Sequence, residues 1–218
     1  MKYFIFIILL MQLPHTNAQS SVYKEIDSIS QIIKLNTSNE DLYYNRAILY
    51  FKINELENAL NDVNTGLSIN SKSDRFFYLQ ALIYLKKKHM DSALESIDES
   101  IKISKSEKNY YLRGKIHFAR DEIREAILDL NIVLKMNPRA DYAYLQKSFW
   151  CNDINMYYEE IKNYLYYIKI SDDDINVSQI KKKLKKIKKS DKYYTDLIRA
   201  AKKEIKKNGY PWEYKVWE

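Results

Sequence analysis

The sequence predicts an all-α protein, an α-solenoid of antiparallel helix pairs finished by C-terminal capping helices. Three observations carry this. The chain has 218 residues with three Gly and three Pro, so few turns need special backbone angles, and long helices on short links are expected. Small and aromatic residues recur together with a period of 33–34 residues. Beyond the last recurrence, apolar residues still fall at helical 3-4-3 spacing.

The chain opens MKYFIFIILLMQLPHTNAQS, with one Lys, an apolar run from Tyr3 to Met11, and Thr16-Asn17-Ala18 before Gln19. That is the layout of a secretory signal peptide over 1–18, cleaved after Ala18. The run is short for crossing a bilayer, so a retained anchor is the lesser alternative. No Cys follows it to carry a lipid. The chain is therefore expected to be exported, to a periplasm or to the extracellular space. Its single cysteine, Cys151, forbids an intramolecular disulfide, so packing alone must hold the fold. Residues 19–39 read as a leading capping helix, with Ile26, Ile29, Ile32 and Ile33 on one face.

The repeat is read from its small residues. Ala59, Ala93 and Ala126 each precede an apolar residue four positions on, Val63, Ile97 and Leu130. Twelve residues before each stands another small residue, Ala47, Ala81 or Gly114. Tyr43, Phe77 and Tyr110 lie four residues ahead of those, and Tyr50, Tyr84 and His117 three residues after. Side chains without bulk let two helices approach closely, and the large residues fill the space around them. Asn137-Pro138 then marks a boundary between pairs, because proline lacks an N–H and fixes φ.

This pattern resembles the tetratricopeptide repeat, here an exported bacterial member. Units are placed at 40–73, 74–106, 107–140 and 141–174, the last degenerate. It keeps Tyr144 and Ser148 but has Cys151 and Glu160 where an aromatic and a small residue are expected. Residues 175–218 read as basic capping helices with an aromatic tail, YPWEYKVWE. Val177, Ile180, Leu184 and Ile187 form one stripe. Tyr194, Leu197, Ala201 and Ile205 form a second, on a helix that Ser190 could cap and Asn208-Gly209 would end.

The resemblance implies a superhelix whose first helices line a concave groove. It places Tyr44, Tyr78 and Tyr111 there as a ladder, with Ile48, Leu82, Lys115 and Phe149, and with Phe51, Leu85, Phe118 and Asn152. Lys52, Arg75, Lys86 and Lys108 add positive charge. Tyrosine offers a large contact area with one polar tip at low entropic cost, which suits an extended protein segment. One subset of the family binds chaperone C-terminal carboxylates through Lys and Asn at set positions. Tyr44, Ile48 and Leu79 stand at those positions here, which disfavours that function.

Chemistry is not indicated. His15 leaves with the signal peptide, His89 falls in a link, and His117 faces the core; no partner stands at metal-ligand spacing. Asp172-Asp173-Asp174 after Ser171 suits the positive end of a helix. Cys151 reads as a small buried apolar residue. No Gly-rich phosphate loop is present. Neither an enzyme, nor a cofactor, nor a small-molecule substrate is expected.

Charge is concentrated at one end. From Gln179 to Lys207 there are thirteen Lys or Arg and three Asp or Glu, 13 − 3 = +10, against +7 for the chain. Lys181, Lys182, Lys183, Lys185, Lys186, Lys188 and Lys189 could meet an anionic lipid or polysaccharide surface, or simply solvate a terminal helix. Nucleic acid fits the charge but not export. The leading expectation is a non-catalytic scaffold for an extended protein segment, and the alternative is a surface-docking protein.

Overall fold

The computed structural model describes residues 2–211, except the side chains of 2–18, 187, 189 and 190. All its regular structure is helical among the described residues, in two compact units, residues 1–104 and 105–218. The first unit holds α1 (Lys2–Leu35), α2 (Glu40–Lys52), α3 (Leu56–Ile69), α4 (Asp74–Lys86) and α5 (Met90–Ile103). The links are so short that consecutive helices must run antiparallel. α2 pairs with α3 and α4 with α5; α1 lies on α2, and α3 on α4. No helix is long and apolar enough to cross a membrane among the described residues.

The small residues sit where two helices of a pair meet. Ala47, Ala59, Ala81 and Ala93 are fully buried. Between α3 and α4 the approach is closer still, and it falls on a residue the repeat pattern did not single out. A Cβ on Gly66 would lie 2.0 Å from the ring of Phe76, itself fully buried. Gly66→Ala should therefore destabilise the first unit by about 1–2 kcal/mol. Overpacking of about 1–3 kcal/mol outweighs the gain of up to about 1 kcal/mol in helix propensity. A urea titration followed by circular dichroism checks this, and an unchanged midpoint would refute the contact. Of the α1 isoleucines, Ile26 and Ile33 are buried and Ile29 packs beside them. Ile32 is exposed, because the face turned to α2 follows a spacing of seven and leaves the neighbour of Ile33 in solvent.

Scarce glycine does not mean ordinary turns. Asn54, Lys88, Asp121 and Asn155 all have φ between 60° and 66°, one in each link within a helix pair. The tight link needs one left-handed residue to reverse the chain. Asn and Asp bear that conformation more easily than other non-glycine residues, Lys less so.

The second unit holds α6 (Glu107–Ala119), α7 (Ile123–Met136), α8 (Asp141–Asp153), α9 (Tyr157–Ile170), α10 (Asp174–Ser190) and α11 (Lys192–Asn208). α6 pairs with α7 and α8 with α9, while α10 and α11 both pack on α9. A Cβ on Gly114 would stand 3.2 Å from the Ala126 carbonyl oxygen, so α6 and α7 meet backbone to side-chain stub. α7 stops at Met136, ahead of Pro138, whose carbonyl accepts the Tyr144 hydroxyl at 3.1 Å. Asp173 starts α10 by accepting from the Asn176 backbone N–H at 3.0 Å and from its side chain at 2.6 Å. Those bonds hold its carboxyl below the usual range.

α11 is capped by Asp191, not Ser190, which ends α10. The Asp191 carboxylate accepts from the backbone N–H groups of Tyr193 and Tyr194, and a charged cap also suits the helix dipole. α11 ends at Asn208, with Gly209 at φ 71°. Val177, Ile180, Ala201 and Ile205 are buried, Leu184, Tyr194 and Leu197 half-buried, and Ile198 joins them. The Ile187 side chain lies outside the described residues, as do tail residues 212–218. Tyr210 folds back so that its ring centroid lies 5.9 Å from that of Tyr166.

Candidate protein-binding faces

In the first unit, Tyr44, Ile48 and Phe51 project from α2, and Tyr78 and Leu82 from α4; all five are half-buried. The rings are partly claimed by the neighbouring pair. Tyr44 meets Phe76 edge-on at 5.4 Å, and the Arg75 guanidinium lies 4.9 Å over its ring. Glu40 at 2.7 Å and Asp41 at 2.5 Å hold Arg75 there. Burial pushes the Tyr44 hydroxyl above its ordinary pKa, so it stays a neutral donor. Lys86 Nζ stands 4.8 Å from the Phe51 ring and 3.4 Å from the Phe51 carbonyl oxygen. The two cations thus cover aromatic rings, a cation–π arrangement, while Lys52 is exposed and Leu85 half-buried.

In the second unit, Tyr111 meets Tyr142 edge-on at 5.0 Å, and Lys115 Nζ lies 6.0 Å from its ring. Tyr142 in turn donates to Glu107. Phe118 stacks on buried Trp150 at 5.1 Å, and Phe149 meets Tyr164 edge-on at 6.2 Å. Phe118 and Phe149 still expose 37% and 48% of their surface, enough to offer an apolar contact. Lys108 and Asn152 are exposed.

At the basic end, Lys181, Lys182, Lys185, Lys186 and Lys188 are exposed; the Lys189 side chain lies outside the described residues. Lys183 differs. Its Nζ donates to Glu160 Oε1 at 2.9 Å and to the Tyr164 hydroxyl at 3.0 Å. Glu160, at a position alanine holds in the other pairs, is only 3% exposed, and a buried carboxylate needs a counterion. Lys183 supplies it from the surface, its side chain 44% exposed and its ammonium tied to the buried carboxylate.

A feature the sequence reading missed runs through both units. Arg46 Nε and Nη2 donate to the two Asp62 oxygens at 2.8 and 2.6 Å, and Arg46 Nη1 donates to Ser30 Oγ of α1 at 2.8 Å. Arg113 grips Asp129 the same way at 3.0 and 2.7 Å. The second pair has Ser96 Oγ donating to Gln80 Oε1 at 2.9 Å, and the fourth has Lys147 and Asn163 at the same positions. Asn163 donates to the Glu159 carbonyl at 2.7 Å, and burial pushes the Lys147 ammonium below its ordinary pKa. The signal was available: a polar residue sixteen positions after another, recurring with the repeat.

No group of His, Cys, Asp and Glu converges as a metal site among the described residues. His117 Nδ1 stands 2.7 Å from Glu122 and Nε2 3.9 Å from Asp129, a structural histidine in a polar network. His89 is exposed, with its ring stacked near Tyr84. Cys151 is fully buried, and burial pushes its thiol up to about 11, so it is protonated and sheltered at neutral pH.

Residues 40–73 and 74–107 each match the tetratricopeptide repeat family. No curated protein matches the sequence. Among solved structures, PilF of Pseudomonas aeruginosa superposes with a TM-score of 0.67 at 12% identity, covering 91% of this chain and 87% of that one. A tetratricopeptide repeat protein from Parabacteroides merdae gives 0.63 at 21% identity, over 90% and 76% of the two chains. YrrB, described as having an unusual peptide-binding site, gives 0.62 at 16% identity, over 84% and 95%.

Proposed function

Because this chain is a tetratricopeptide-repeat protein, we propose that it is a non-catalytic scaffold holding an extended segment of a partner protein on the first helices of its repeats. The observation that carries the reading is the set of half-exposed rings on α2 and α4, with Arg75 and Lys86 laid over Tyr44 and Phe51. Such a face offers apolar area, hydroxyl tips and positive charge to an extended chain. In the second unit, Tyr111, Lys115, Phe118 and Phe149 offer the same mixture. That YrrB is described by a peptide-binding site supports the assignment. Export, supported by the apolar stretch before Ala18, would place the partner in a periplasm or outside the cell.

Panning a displayed peptide library against the full chain tests this. Selected peptides should lose at least about tenfold in affinity for Tyr44→Ala/Tyr78→Ala/Tyr111→Ala, since buried aromatic anchors dominate such contacts. Helix content should stay near that of the parent. Peptides held equally by the variant would move the site elsewhere.

A second reading, docking on an anionic surface, is favoured by the exposure of Lys181, Lys182, Lys185, Lys186 and Lys188 along α10. Such docking weakens with ionic strength, whereas aromatic contacts hold.

A further inference from the structure

We propose that the groove between α9, α10 and α11 binds one fatty carboxylate; the inference deepens the anionic-surface reading, rests on Lys181, Lys185 and Lys188 of that reading, and adds Lys202 of α11. Leu165 and Ile168 of α9, Leu184 of α10 and Ile198 of α11 line an apolar cavity of about 310 Å³. Leu165 and Lys202 also line an adjoining cavity of about 440 Å³ that reaches Ile205 and Tyr210. Each volume lies in the range of about 300–1,000 Å³ typical of small-molecule sites. Lys181, Lys185, Lys188 and Lys202 rim the first cavity. None of the four makes a side-chain ion pair among the described residues.

The lining chooses among anionic ligands by what it lacks. Every polar side chain lining the first cavity is an ammonium, a donor with no lone pair. An extended peptide laid in the groove would leave its N–H groups without acceptors, which is costly once buried. A polysaccharide would cover four aliphatic side chains with hydroxyls that gain nothing there. An alkyl chain has no polar atom to satisfy and removes that apolar surface from water. A carboxylate at its end meets lysines that have no other counter-charge among the described residues. A fatty carboxylate satisfies both halves of the site.

The full chain should bind sodium laurate, kept below its micelle concentration, with 1:1 stoichiometry by titration calorimetry. Dodecyltrimethylammonium, the same tail with the opposite head, should bind at least tenfold more weakly. Lys185→Glu/Lys202→Glu changes two exposed residues, leaves the fold intact by circular dichroism, and should weaken laurate at least tenfold. Absence of saturable laurate binding, equal binding of both amphiphiles, or an unaltered affinity in the double variant would each overturn the proposal. Phosphatidylglycerol vesicles separate it from its parent reading. Vesicle binding without laurate binding overturns the groove and keeps the surface; loss of both overturns the two together.

Discussion

Trp150→Ala should cost the protein about 4 kcal/mol, the range for emptying a buried aromatic site, seen as a lower urea midpoint by circular dichroism. Trp150 is 1% exposed and lies in the cluster of Ala126, Leu130, Val133 and Ala143. Its repeat counterparts are smaller: Leu49, Ile83 and Ile116. The fourth pair has put indole where the others put an aliphatic chain, and Phe118 stacks on it. Alanine there would leave a void among Ala126, Leu130, Val133 and Ala143, which packed helices close only in part. One term works the other way. The indole Nε1 is buried without an acceptor among the described residues, which offsets part of the gain from burying the ring. Trp150→Phe should therefore cost only about 1–2 kcal/mol, less than volume alone predicts. Phe118→Ala, on a ring already 37% exposed, serves as the control. If Trp150→Ala moves the midpoint no further than Phe118→Ala does, Trp150 is not the keystone of that cluster.

The period and its small residues made the first three helix pairs legible, because close helix approach leaves little room for bulk at those positions. Ala47, Ala59, Ala81, Ala93 and Ala126 are all fully buried. Gly66 was not legible. Its need arises from one ring, Phe76, on the next pair, and the counterpart positions carry Ser100, Val133 and Tyr167. The left-handed links were hidden for a related reason: Asn, Lys and Asp hold the conformation that glycine would have advertised.

The rings proposed for binding were legible as helix positions, but not in how they are shared. Spacing puts Tyr44 and Tyr111 at the same register of α2 and α6. It cannot say that Arg75 and Tyr142 of the following pairs also claim those rings. Lys183 shows the same limit. In sequence it is one lysine in a run of seven. In the fold, Glu160 in an alanine position singles it out.

Asp129→Ala should destabilise the second unit by about 3 kcal/mol, because it leaves the Arg113 guanidinium without its carboxylate in a largely desolvated place. The Asp129 side chain is 3% exposed and Arg113's 25%, so water reaches the cation in part and holds the loss to the lower end of the range for broken buried pairs. The fold itself indicates the rescue. At these two positions the second pair carries neutral Gln80 and Ser96, and the same helix geometry accepts them. Arg113→Gln/Asp129→Ser should therefore be more stable than Asp129→Ala alone, although it removes both charges. Taking one charge away exposes the desolvation penalty of the other; taking both removes penalty and attraction together. A double-mutant cycle in urea, with Arg113→Gln and Asp129→Ser as its single variants, decides the matter. If the double variant loses as much as the two single losses added, the pair contributes through packing. The recurring polar positions would then be spacers, not the electrostatic clasps that their paired geometry indicates.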